Sequence, residues 1–137
     1  MYKRQTNDGD EPASSSAETL MRSALAIGDF TGALTAAAEV LGAQPTHAEA
    51  MRVADDCRST LRGMYIGRLG SLESVPVVMA ETSHLRYANI DHRAGFVLSH
   101  IDGVSTVEMI LDVSGMPELD ALRILSELAQ QRIVSFR

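Results

Sequence analysis

The chain has 137 residues, 45% apolar and 22% charged, the balance of one ordinary globular domain or two small modules. Twelve basic residues against eighteen acidic ones leave a net charge of −6, which works against a phosphate-binding surface and so against nucleic acid as the main partner. The longest runs free of Asp, Glu, Lys and Arg are nine residues, 30–38 and 40–48, far short of the roughly 20 apolar residues of a membrane span, and the single cysteine, Cys57, excludes an internal disulfide framework.

No basic start followed by an apolar stretch marks a leader, so a cytoplasmic protein is expected. Residues 1–14 read as a disordered polar tail, with Asn7, Asp8, Gly9, Asp10, Glu11 and Pro12 in succession. Residues 1–5 look foreign to the rest: Lys3 is the one lysine beside eleven arginines. Ser15 and Glu18 have capping-box spacing and open a first helix, with Leu20, Ala24 and Ile27 as its apolar face and Gly28 as its stop. A second helix spans about 30–41, with Ala33, Leu34, Ala37, Val40 and Leu41 inward, and Gly42 and Pro45 end it. Thr46 and Glu49 form a second capping box before a third helix that reaches about residue 66, striped by Ala50, Ala54, Cys57, Leu61 and Met64.

Residues 67–71 break the period and read as a linker. Residues 75–79 are β-prone, with Pro76 confining them to an edge or a strand start, and 85–90 alternate as a second strand able to pair with them. Asp91 caps a fourth helix with Ala94, Val97, Leu98 and Ile101 inward, ended by Gly103. Ser105 and Glu108 make a third capping box for a short helix that buries Val107, Ile110 and Leu111. Ser114 and Gly115 turn the chain, and Pro117 suits the first turn of a last helix carrying Leu119, Ala121, Leu122, Ile124, Leu125, Leu128 and Ala129 inward. Residues 133–136 read as a terminal strand. The expected fold is mainly α with a small β component: a tail (1–14), a helical module (15–66), a linker (67–71) and a second module (72–137). Its helices centre near residues 21, 35, 56, 97, 109 and 124, with two or three short strands, and Leu98, Ile101, Ile110, Leu122, Leu125 and Leu128 form one core.

Gly28, Phe30, Ala33, Ala37 and Pro45 stand at offsets that resemble a tetratricopeptide repeat: turn glycine, aromatic, two small second-helix positions and closing proline. The match covers about 14–47, with the third helix as the first helix of a next repeat. It departs from the pattern at Met21, Ala17 and Val40, which replace a glycine, a bulky aromatic and an alanine. Three helices with a tight turn between the second and third, then a strand, resemble a winged-helix or helix-turn-helix domain. Ile101-Asp102-Gly103 and Thr106-Val107-Glu108-Met109-Ile110, followed by a helix ending near Arg132-Ile133-Val134, make the layout similar to PqqD-like peptide-binding domains. The combined arrangement looks like uncharacterised bacterial two-module proteins, and that resemblance implies no chemistry.

The repeat resemblance implies a ligand-facing side made of Glu18, Arg22 and Leu25 on the first helix and Arg52, Asp56 and Ser59 on the third. The helix-turn-helix resemblance implies a recognition helix over 117–132, with Arg123 and Arg132 as its cations. Glu118 and Asp120 at its start, and nine acidic against six basic residues over 67–137, oppose that role. His92 and His100 are eight residues apart, about 12 Å along a helix, too far to share a metal ion. Asp102 beside His100 gives only two ligands, and His47 and His84 lie in other segments. Asp91, His92 and Arg93 read as a cap followed by an exposed first turn, Cys57 as a small core residue, and the adjacent carboxylates Asp55 and Asp56 as a solvated face. Gly67 and Gly70 are no phosphate loop, since no lysine follows them.

The reading is a non-catalytic adaptor or scaffold that binds a protein or peptide partner, without cofactor or metal. A homodimer is compatible with it. The alternatives are a transcription regulator reading DNA through 117–132, and an enzyme with a site near His92 and His100.

Overall fold

The computed structural model describes residues 12–79 and 90–137. The protein is mainly α, with six helices and one two-stranded sheet among the described residues. The helices are α1 (Pro12–Ala26), α2 (Phe30–Ala43), α3 (Ala48–Leu69), α4 (His92–Leu98), α5 (Val107–Ser114) and α6 (Glu118–Gln130); the strands are β1 (Pro76–Val78) and β2 (Val134–Phe136). No helix among the described residues is long and apolar enough to cross a membrane. The chain divides into two compact units, residues 1–61 and 62–137. The division falls within α3 rather than at the 67–71 break; α3 runs through Gly67 and ends at Leu69, where Gly70 takes φ +95°.

In the first unit α1 begins at Pro12, so Ser15 lies inside the helix and is not its cap. Proline suits a first helical turn because its missing N–H would find no partner there. The helix ends in a Schellman motif: Gly28 (φ +78°) donates to the Leu25 carbonyl and Asp29 to the Ala24 carbonyl. Asp29 then caps α2 by accepting from the Gly32 N–H at 2.9 Å. The buried cluster is built from Ala17 and Met21 of α1, Ala33, Ala36, Ala37 and Val40 of α2, and Ala50, Val53, Ala54 and Cys57 of α3. Leu20 and Ile27, expected inside, are 59% and 80% exposed. The stripe that turns inward is Ala17, Met21 and Ala24, the same helical spacing moved back three residues, about 60° round the helix. Alanines on α2 demand close approach, and small residues flanking one flexible methionine meet that demand where a Leu–Ile ridge would hold the helices apart.

The cap of α3 is His47, not Thr46. Its Nδ1 accepts from the Ala50 N–H at 3.1 Å, which puts the proton of the neutral ring on Nε2.

In the second unit β1 pairs antiparallel with β2, matching Pro76 with Phe136, Val77 with Ser135 and Val78 with Val134. Val75 and Arg137 exchange both backbone bonds, at 2.9 and 3.0 Å. Alternation then turns Pro76 away from β2, where its lack of an N–H costs no ladder bond. Residues 85–89 of the expected partner strand at 85–90 lie outside the described residues, and Ile90 is not in a strand. Asp91 caps α4 as expected, accepting from the Ala94 N–H at 2.8 Å. The cap of α5 is Thr106, one residue beyond the serine read from sequence. Carbonyls of Ser74 and Leu72 already take the N–H groups of Val107 and Glu108, so the donor left to cap is Met109, and Thr106 Oγ1 reaches it at 3.2 Å. Pro117 stands just outside α6 as its N-cap residue.

Helix α6 contacts α4, α5 and β2 and is the centre of this unit. Ala121, Leu122, Ile124, Leu125 and Leu128 are buried on it, together with Ile110 and Val107 of α5 and Val97 of α4. Leu98 and Ile101 of the expected core are only half-buried. From residue 62 onward α3 belongs here: Tyr65 and Leu69 are buried, while Met64, read as part of the stripe, is 43% exposed.

Candidate functional site

The structure places the six residues of the expected ligand-facing side on α1 and α3, but two of them are engaged within the chain. The Arg22 guanidinium grips Glu49 with two bonds, Nε to Oε2 at 3.0 Å and Nη2 to Oε1 at 2.6 Å, and its Nη2 also reaches Glu18 at 3.4 Å. The second oxygen of Glu18 lies 3.3 Å from His47 Nε2. Glu18, Arg22, His47 and Glu49 therefore form one network tying α1 to the start of α3. It satisfies the charges that a ligand was expected to meet. Leu25, Arg52, Asp56 and Ser59 remain exposed. Glu49 was read as a capping-box residue; the guanidinium claims it instead, and the histidine supplies the cap.

This network has a pH signature. The hydrogen bond and charge of Arg22 hold the Glu49 carboxyl below the usual glutamate range, against a smaller opposing effect of desolvation. A carboxyl lowered in the folded state stabilises the fold above its unfolded pKa, and that contribution fades as pH falls through the folded value. Arg22→Gln is therefore expected to lower the melting temperature at pH 7 by more than at pH 3, the difference closing below about pH 4.5. Thermal melts of both proteins at the two pH values check this. An equal deficit at both would show that the ionised Glu49 carboxylate adds nothing to what Arg22 contributes to folding.

The helix read as a recognition helix is likewise self-neutralised. Glu118 receives two bonds from Arg62, at 2.8 and 3.2 Å, and Asp120 one from Arg93 at 2.8 Å. The start of α6 is thus two ion pairs and not the acidic patch expected from sequence. Arg123 bonds Glu127 one turn along the same helix, at 3.1 and 3.2 Å.

Among the described residues the groups considered for catalysis do not converge, and His84 lies outside those residues. His92 is exposed at the first residue of α4. His100 lies beyond its end, edge-on to Phe96 with ring centroids 4.7 Å apart. Its Nε2 is buried without a hydrogen-bond partner among the described residues. Asp102 is committed to its own turn, accepting from the N–H groups of Val104 and Ser105 (2.9 and 2.7 Å) and from Ser105 Oγ (3.0 Å). Those donors hold its carboxyl below the usual aspartate range. Cys57 is fully buried, and burial, helped by Asp56, pushes its thiol up and keeps it protonated. Asp55 bonds Arg58 at 3.3 Å while Asp56 stays exposed. Among the described residues no three His, Cys, Asp or Glu side chains come together as a metal site.

An open groove of about 370 Å³ lies within the second unit, lined by Met79, Ala129, Arg132, Val134, Ser135 and Phe136. It is formed where α6 runs into β2 and where β1 ends. Among its walls only Arg132 is a site residue expected from the sequence, as a cation of a recognition helix. No short-range pattern marks the groove, because its residues come from two ends of the unit and meet through the β1–β2 pairing. The chain matches no protein-family model, no curated protein and no solved structure.

Proposed function

We propose that the protein is a non-catalytic adaptor, and that the groove at the end of α6 takes a segment of a partner protein. The groove carries this reading: an open, largely apolar concavity beside a strand, with Met79 61% exposed on its wall. Val134 and Phe136 alternate with residues bonded to β1, so their backbone groups turn away from β1 and offer hydrogen bonds to an extended chain. In this reading the second unit is the winged-helix-like peptide binder and the first is the repeat-like hairpin. Glu18 and Arg22 drop out of the binding face because they hold α1 to α3.

The DNA-reading alternative has less behind it. Of the two expected cations, Arg123 is spent on Glu127 and only Arg132 stays unpaired, while Arg62 and Arg93 are spent on the first turn of α6, so among the described residues few cations are free to meet phosphates. The enzymatic alternative near His92 and His100 has one unsatisfied nitrogen, and among the described residues no group of three His, Cys, Asp or Glu side chains comes together.

Met79→Lys tests the proposal without threatening the core, since the side chain is 61% exposed. Affinity capture with the unaltered chain and with this variant should recover a partner with the first and lose it with the second, while circular dichroism stays the same. Identical recovery from both would place the contact elsewhere.

A further inference from the structure

The turn that follows α6 is a Schellman motif built like the one after α1. Arg132 donates to the Ala129 carbonyl and Ile133 to the Leu128 carbonyl, both at 3.0 Å, matching the bonds of Gly28 and Asp29. The motif needs a residue in the left-handed region. After α1 that residue is Gly28 at φ +78°; after α6 it is Arg132 at φ +61°, the one non-glycine residue with positive φ among the described residues. A side chain crowds the carbonyl in that conformation, and glycine does not. The fold alone would therefore favour glycine at position 132. A long cationic side chain in a position that disfavours it points to a task for the side chain.

Its surroundings indicate the task. Arg132 lines the groove whose other walls are Met79, Ala129, Val134, Ser135 and Phe136. Arg22, Arg58, Arg62, Arg93 and Arg123 each face a carboxylate of this chain, and Arg137 bonds the Gly103 carbonyl. Arg132 makes no ion pair and no side-chain hydrogen bond within the described residues. An unpaired guanidinium beside apolar walls complements an apolar side chain with a carboxylate near it. We propose that the groove selects an acidic segment, one whose aspartate or glutamate meets Arg132 while an adjacent apolar residue fills the groove. This rests on the groove being the partner site and adds which partner it prefers.

The test uses the full chain and three fluorescein-labelled eight-residue peptides in which leucine alternates with aspartate, asparagine or lysine. The aspartate peptide should bind about fivefold tighter than the asparagine peptide at low salt, as one exposed ion pair allows, and the lysine peptide should bind weakest. Arg132→Gly should erase the preference for aspartate and at the same time raise the melting temperature by about 4 °C, because the turn gains its favoured residue. Arg132→Lys should keep the preference. The combination of tighter folding and lost selectivity separates a binding role from a structural one. Three results would overturn the inference: equal binding of the aspartate and asparagine peptides, a lower melting temperature for Arg132→Gly, or salt-sensitive binding to a mixed DNA duplex that disappears in the same variant. Equal binding that Met79→Lys abolishes would sink the charge preference but leave the groove as the partner site. Binding of no peptide at all would count against both.

Discussion

Leu125→Ala is expected to lower stability by about 2–5 kcal/mol in a denaturant melt, the usual cost of emptying a fully packed leucine site. Leu125 is 0% exposed at the centre of α6, between Leu122 and Leu128, which are 0% and 1% exposed. The helix contacts α4, α5 and β2, so a cavity there is walled by several elements that cannot all collapse into it. The same truncation at half-buried Leu98 should cost less, because water already reaches part of that side chain. A loss under about 1 kcal/mol at Leu125 would mean that α6 packs through another face.

Both leucines were assigned to one core from the sequence, and the difference between them shows what the periodicity held and what it did not. Leu122, Leu125 and Leu128 recur at helical spacing on a helix with charge opposite, and only one arrangement buries them. Leu98 and Ile101 fit a stripe too, but α4 is seven residues long and ends at Leu98, so Ile101 leaves the helical phase. Caps were misplaced by one residue or more for a related reason. A serine or threonine three positions before a glutamate satisfies the rule for a capping box, yet the rule ignores what else competes for the same groups. Carbonyls of Leu72 and Ser74 reach the first N–H groups of α5, and the Arg22 guanidinium takes Glu49 from the start of α3. Those competitors are more than 25 residues away in sequence, and no local window contains them. Asp91 and Gly115, whose competitors are local, were legible.

The candidate site shows the same division. Glu18 and Arg22 had the right phase for a shared face, and the structure does bring Arg22 against α3, though toward Glu49 rather than a ligand. The carboxylates of Glu118 and Asp120 were visible as charges, but their arginine partners sit 56 and 27 residues away. The groove was hidden because Met79 and Phe136 come to line it only through the pairing of β1 with β2. Arg132 is visible in the sequence as a cation of the last helix, but its left-handed conformation is not, because that region after a helix is ordinarily announced by glycine and the chain has arginine there.

In the first unit, Met21→Ala is expected to cost about 2–5 kcal/mol and Leu20→Ala no more than about 0.5 kcal/mol. Hydrophobicity alone predicts the opposite order, since leucine is the stronger apolar residue and stands in line with Ala24 and Ile27. Packing reverses it. Met21 is 0% exposed among Ala33, Ala37 and Ala54, small side chains that leave a gap for a long flexible one to fill. Leu20 is 59% exposed and gives up little when shortened, while alanine gains in helix propensity. Residues 20 and 21 are neighbours on one helix, so the pair isolates the direction in which α1 faces α2 from any effect of helix formation. Urea melts of the two variants beside the unaltered chain measure it. Equal losses, or a larger loss at Leu20, would turn α1 by about 60° and restore Leu20, Ala24 and Ile27 as its buried face.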